Sequence, residues 1–351
     1  MQRIRYSVNV LNLSTEFKYF TSQKCNRFAF LQQWMQMLDI PFSVVSIGNL
    51  NHLFVEFPEH FYTPFFRTKT VIVHFDRATL DSQLSDTDFN PGANDNSAAV
   101  YQVLLWVKRL LNKTVTSNST AKTDTQLSKN LQYNIRVVFS DGEELAGKNA
   151  GSFGLAKYFI EHHLAGNGTS EALYNDIYVL DGCGRGDILT VSTAGKFLKT
   201  SSFFLKRFNN LYNTCCNLCR LSNPETWVTL PIPYGDNAGF IANGIPAIML
   251  TVLPKDEATN YLKHLQIDKD FSRAVMNHEI SMHGSGMRPE SLKKLQKLGD
   301  DPAKALLLSE KLPKTWRIMH TEFDTISTLN EEAFTVMSRF LDALALSFIP
   351  V

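Results

Sequence analysis

The 351-residue sequence lacks a surplus of charge of either sign, with 35 Lys and Arg against 34 Asp and Glu. No net field therefore draws it to nucleic acid, to an anionic membrane or to a highly charged substrate. It also lacks any run approaching the roughly 18 apolar residues that a bilayer-crossing helix needs. The N-terminal stretch MQRIRYSVNVLNLSTEFKYF interrupts its apolar residues with Ser7, Asn9, Asn12 and Ser14. The continuous apolar segment of a secretory signal is missing, and a cytoplasmic location is expected. Cysteine is scarce and odd in number: three of the five form the cluster Cys215-Cys216-Asn217-Leu218-Cys219, which is no disulfide framework. No further Cys or His pair follows at zinc-finger spacing, so buried or half-buried thiols in a reduced compartment are expected in place of a structural zinc site.

What is present is enough apolar material for a substantial core, 44% hydrophobic and 11% aromatic residues. Residues 1–60 mix a predicted helix at 27–38 (RFAFLQQWMQML) with strand-like FSVVSIG and HLFVEF. Short β-branched runs at 69–76 (KTVIVHFD), 134–144 (NIRVVFSDGEE) and 175–182 (NDIYVLDG) read as buried strands. Helical spacing recurs between them at 97–111 and 151–164, so strand, helix, strand, helix, strand implies a largely parallel sheet wrapped by helices. A further strand is predicted at 244–253 and a core helix at 331–348. The Ser/Thr/Asn-rich stretch 112–130 is expected as a mobile surface loop, and its Asn118-Ser119-Thr120 triplet is discounted as a glycosylation acceptor without a secretory signal.

Acids gather where the three central strands end. His74 and Asp76 close the first, Asp141, Glu143 and Glu144 the second, and Asp181 the third. The carboxyl ends of parallel strands open on one side of a sheet, so these groups are expected to converge. Taken singly, each is an ordinary turn residue. Together they repel one another unless protonated or neutralised by a cation. Mixed imidazole and carboxylate donors suit a divalent transition metal, zinc above all, and this many carboxylates point to two ions sharing one acid. The stretch FNPGANDNSAAVYQVLLW (89–106) offers that acid: Asp95 stands behind a Pro-Gly approach at the threshold of an apolar helix. An ordinary helix cap at Asp95 or Ser97 is the alternative.

The ordered motifs VHFDR, PGANDNSAAV, FSDGEELAG, VLDG, GDNAGFIANGIPA and HTEFDT resemble those of the M28 family of zinc aminopeptidases, which share a core with glutaminyl cyclases; the likeness spans 71–325. The resemblance implies a three-layer α/β sandwich with a central mixed, mostly parallel sheet and helices on both faces. It implies a single catalytic domain over 1–351, with 1–60 as an N-terminal extension and about 254–314 as a helical insertion. It also implies a pair of zinc ions, one on His74 and Asp181, the other on Glu144 and His320, bridged by Asp95, with Glu143 as general acid/base. Adjacent Glu143 and Glu144 divide the labour, one binding metal and the other moving the proton. Asp76 and Asp324 fit acceptors that orient the imidazoles, with exposed turn acids as the alternative. The other seven histidines, His162, His163, His278 and His283 among them, are expected at the surface. Where the family often has His and Pro, this chain has Asn237 and Gly239, in a loop whose Asp236, Asn237 and Phe240 are candidates for the substrate pocket. The implied activity is release of N-terminal residues from peptides through a zinc-activated water. A glutaminyl-peptide cyclase and a non-catalytic binding protein on the same fold are the alternatives.

Overall fold

Eight strands alternate their side chains between two apolar cores: β1 (Phe42–Ile47), β2 (Leu50–Val55), β3 (Thr68–His74), β4 (Ile135–Ser140), β5 (Asn175–Leu180), β6 (Ile188–Ser192), β7 (Trp227–Leu230) and β8 (Ala247–Leu253). In a computed structural model the described residues are 13–78, 89–116, 132–145, 151–161, 173–196, 198, 200–276 and 309–349. The strands form one sheet in the order β1-β2-β4-β3-β5-β8-β6-β7. Its centre, β4-β3-β5-β8, is parallel, whereas β2 runs against β4 and β6 against β8. Val71 and Val73 enter one core and Ile72 the other, so a one-residue slip of β3 would exchange both sets and register is firmly specified.

One core is covered by α1 (Thr15–Phe20), α2 (Arg27–Met37), α3 (Ala98–Thr116), α5 (Ser202–Ser222) and α10 (Glu331–Leu346). The other is covered by α4 (Gly151–Glu161), α6 (Asn237–Ala242), α7 (Lys255–Ile267), α8 (Lys269–Met276) and α9 (Lys314–Ile318). The expected three-layer α/β architecture with a mixed sheet is thus what the chain forms. Spacing explains the helices locally: α3 buries Val100, Val103, Leu104, Val107 and Leu110, and α10 buries Phe334, Met337, Phe340, Leu341 and Leu344. Each such side chain contributes about 1.5–3 kcal/mol on burial. Caps fix the starts, with Asn26 accepting from Ala29 N and Ser201 from Phe204 N. Buried Lys69, at the start of β3, donates to the carbonyls of Leu344, Ala345 and Ser347 and closes the end of α10.

Three local expectations change. The helix predicted at 97–111 begins at Ala98 and runs to Thr116, taking the first residues of the expected loop; residues 117–131 lie outside the described set. Helix α5 and strands β6 and β7 had no counterpart in the sequence reading. Within the stretch read as an insertion, residues 277–308 lie outside the described set, while α7 and α8 pack on the sheet. Tyr261 of α7 stacks edge-on against Trp316 at 5.1 Å and Phe271 at 5.8 Å, and its hydroxyl donates to Pro231 O.

Candidate metal centre

Sheet order brings the acids together, because β4, β3 and β5 are neighbours. His74 pairs in register with Ser140, and Asp181 follows β5 directly. Asp95 arrives from the turn Ala93–Ser97 ahead of α3, and His320 from just beyond α9. Asp95 (φ −112°, ψ 89°) is not helical, and it is not a cap. Its two oxygens instead face two imidazoles: Oδ1 lies 3.1 Å from His74 Nε2, and Oδ2 lies 2.8 Å from His320 Nε2. Asp181 Oδ1 is 3.7 Å from His74 Nε2, and Glu144 Oε1 is 3.0 Å from His320 Nε2. Glu143 is buried alongside: a Cβ built on Gly235 would meet Asp181 Oδ2 at 3.0 Å and Glu143 Oε1 at 3.5 Å. The loop at Gly235 therefore closes directly over these two carboxylates.

The surrounding polar contacts hold backbone as much as side chain. Asp76 Oδ1 stands 3.5 Å from His74 Nδ1, while its oxygens accept from Glu143 N (3.2 Å) and Glu144 N (3.0 Å). One carboxylate thus touches the elements carrying three site residues. Asp324, expected beside the His320 imidazole, uses both oxygens on backbone amides, Asn94 N at 2.8 Å and Asp95 N at 3.0 Å. Its observed work is to fix the Asp95 loop. Asn94 Oδ1 accepts from Gly184 N, and Asn96 donates to Leu180 O, tying that loop to the end of β5.

Crowding these acids in a buried place leaves their charge unbalanced. Burial pushes Glu143 well above the usual carboxylate range, with Glu144 adding to the effect. Burial also raises Glu144 and Asp181, lifts Asp236 to about 6 and lifts Asp324 to about 7. For Asp95 burial is outweighed by His320 and His74, which hold it well below the usual range. Burial would discharge both imidazoles, yet Asp181, Asp76 and Asp95 hold His74, and Glu144 and Asp95 hold His320, well above the ordinary imidazole value. A site that pushes carboxylic acids and imidazoles alike toward their protonated forms is one short of positive charge.

The donor geometry fits a metal. Buried His74 Nε2 has no aligned hydrogen bond despite its close carboxylates, and neither does Asp181 Oδ1. Donors of His74, Asp95 and Glu144 lie within 4.8 Å of one another. Four donors placed tetrahedrally around zinc at about 2.0–2.1 Å stand about 3.3 Å apart, and the closest approaches here span that value. Nitrogen and oxygen donors of this kind suit zinc.

Other expectations are corrected. Phe240, a candidate for the pocket, is 0% exposed and packs 5.9 Å from Phe159 in the core, so it offers no face to a substrate. Asn237 is buried, and its Oδ1 accepts from Gly235 N, shaping the loop; Asp236 accepts from Ser140 Oγ at 2.6 Å. Gly239 follows from packing, since a Cβ there would come within 2.3 Å of the Ser152 backbone where α6 crosses α4. His52, expected at the surface, is fully buried on β2; it accepts from Asp141 N, and burial pulls its pKa down to about 4. His60 is exposed and His264 half-buried, while His162, His163, His278 and His283 lie outside the described residues. All five cysteines are free and buried. Sequence reasoning missed Ser140 and Arg27. A hydroxyl at the end of a strand and a lone arginine opening an apolar helix were the only signals.

Solved proteins share this arrangement of sheet and helices. The Legionella pneumophila LapA aminopeptidase is similar with a TM-score of 0.52 at 14% identity, covering 96% of this chain and 70% of that one. A Bacteroides thetaiotaomicron glutaminyl cyclase bound to N-acetylhistamine is similar with a TM-score of 0.51 at 13% identity, covering 96% of each chain. A Bacillus subtilis zinc aminopeptidase is a more distant likeness, with a TM-score of 0.44 at 14% identity; the match covers 84% of this chain and 49% of that one. At such identities the likeness is one of fold. No curated protein matches the sequence. The family profile described as peptidase family M28 matches residues 68–345. Running from the first residue of β3 into the last turn of α10, and so across the ends of β3, β4 and β5 where the acids gather, that match makes the chain a member of peptidase family M28.

Proposed function

We propose that this chain is a two-zinc aminopeptidase forming a single catalytic domain and releasing N-terminal residues from peptides. The observation that carries the reading is Asp95, one carboxylate whose two oxygens each face a different imidazole. His74, Asp181 and Asp95 would hold one ion, and Glu144, His320 and Asp95 the other. Each set has three protein donors, the number that leaves a tetrahedral position open in catalytic zinc sites. When bound, the ions supply Lewis acidity that polarises the scissile carbonyl and lowers the pKa of water.

The chain's own residues then do the proton work. Glu143 sits beside Asp181 under the Gly235 loop, and burial, with Glu144 next to it, raises its proton affinity, the direction in which a carboxylate becomes a better proton acceptor. Its carboxylate takes the proton of the attacking water. It returns that proton to the amide nitrogen as the C–N bond breaks, leaving a free amino acid and a shortened peptide. Asp324 and Asp76 hold the backbones that aim Asp95, Glu143 and Glu144.

Zinc-loaded protein tested on aminoacyl reporter substrates and on a peptide with N-terminal Gln separates the readings. Free amino acid supports the aminopeptidase. Ammonia without amino acid indicates a glutaminyl cyclase. Zinc binding with neither product points to a binding protein.

A further inference from the structure

Arg27 is the first residue of α2, outside the stretch matched by the family, and only 6% of it is exposed. Nothing in the apolar helix RFAFLQQWMQM calls for a buried cation. Its contacts account for it. One terminal nitrogen donates to Phe75 O (3.1 Å) and Asp76 O (3.0 Å), on the loop after His74. The other donates to Pro91 O (2.9 Å), Gly92 O (3.2 Å) and Ser97 Oγ (2.8 Å), on the loop carrying Asp95. The Ser97 hydroxyl in turn donates to Gly92 O, and the guanidinium rests over the Phe20 ring at 4.9 Å. A Cβ on Gly92, whose φ is +56°, would lie 2.5 Å from Asp95 O and 3.0 Å from the guanidinium, so the turn itself and the packing of the arginine both call for glycine. The clasp is reciprocal. Arg77, one residue past Asp76, donates back to Ser22 O and Cys25 O between α1 and α2.

We infer that Arg27 is a positioning residue of the metal centre: its planar fork pins the Asp95 loop to the His74 loop and makes the helical pair α1–α2 part of the active-site framework. The inference rests on the proposed reading of Asp95 as a shared ligand. A guanidinium suits this task because it presents donors in fixed directions to several carbonyls at once, which an ammonium on a flexible stem does not. It also places a permanent positive charge behind the acid cluster without competing for the metal.

The test is zinc affinity measured by chelator competition on metal-free protein, alongside thermal unfolding. Comparable disturbance of outer hydrogen-bonding partners weakens metal binding about 10–100-fold. Arg27→Met is expected to show that loss for both ions, with Arg27→Lys recovering part of it. Met35→Ala, a cavity in the same helix about two turns from Arg27, is expected to lower stability and leave zinc affinity as in the wild type. Should Arg27→Met not fold, Ser97→Ala keeps the arginine, removes one acceptor, and is expected to weaken zinc about three- to tenfold. Wild-type affinity in Arg27→Met, or in Ser97→Ala where that variant stands in, overturns the inference. So does a loss in Met35→Ala equal to that in Arg27→Met. A wild-type protein that binds no zinc, or an Asp95→Asn variant that binds it normally, overturns the Asp95 reading itself and is seen separately.

Discussion

Replacing Asp76 by Asn tests how the site is aimed. The side chain keeps its shape, but one oxygen becomes an amide donor set against a backbone N–H of Glu143 or Glu144, which then lacks its acceptor. Hydrogen bonds to a charged partner contribute about 1.5–3 kcal/mol, and at about 1.4 kcal/mol per tenfold this is roughly a 10- to 150-fold change in an equilibrium constant. Disturbance of groups that orient metal ligands is independently worth about 10–100-fold in affinity. The two routes agree. Since Asp76 touches the elements carrying His74, Glu143 and Glu144, zinc should weaken by about 10–100-fold at both positions. The difference should also depend on pH. Burial opposes the charge of Asp76, but His74 and the two amides hold its pKa below the usual value. Its contribution is therefore present above the unfolded carboxylate value of about 3.9 and lost as pH falls through the lower folded value. Metal-free wild type and variant should differ in thermal midpoint at pH 7 and converge in stronger acid. Unchanged zinc affinity at both positions would refute the reasoning.

Glu143→Gln preserves size and hydrogen bonding but removes the proton acceptor, so turnover should fall about 10²–10⁴-fold with zinc content unchanged; loss of metal instead would make Glu143 a ligand. In metal-free protein, Asp236 and Asp324 have folded pKa values raised to about 6 and about 7. Their stabilising contribution is fully present below about pH 4 and lost as pH rises through 6 and 7, so the metal-free midpoint should drop across that window and Asp324→Asn should flatten the drop. A flat midpoint in the wild type contradicts this. Phe240→Ala should destabilise by about 3–5 kcal/mol without altering side-chain preference, because the ring fills core and not pocket; a changed preference in peptide hydrolysis assays would return it to the pocket.

The parallel centre of the sheet was legible because β3, β4, β5 and β8 are short, β-branched and followed by polar residues, and the same feature exposed His74, Glu143, Glu144 and Asp181 as a converging set. What stayed hidden depends on contacts without a local pattern. Asp324 binds amides about 230 positions away, and Arg27 reaches carbonyls 48 to 65 positions away. Side-chain bonds to remote backbone leave no periodicity in sequence. Strand β7, at four residues, is too short to show alternation, and His52 sits on a strand whose burial is decided by α4 lying across it. Phe240 was misplaced because a motif gives neighbours along the chain, whereas the direction of its ring is set by α6 lying on α4.

The central claim is that Asp95 is shared between two ions. Zinc content by elemental analysis after dialysis, compared between wild type and Asp95→Asn, tests it most directly. Two zinc ions per wild-type chain, with both lost or weakened together in Asp95→Asn, are expected. Two tightly bound ions in the variant, or one retained at full affinity while the other leaves, would contradict a shared ligand.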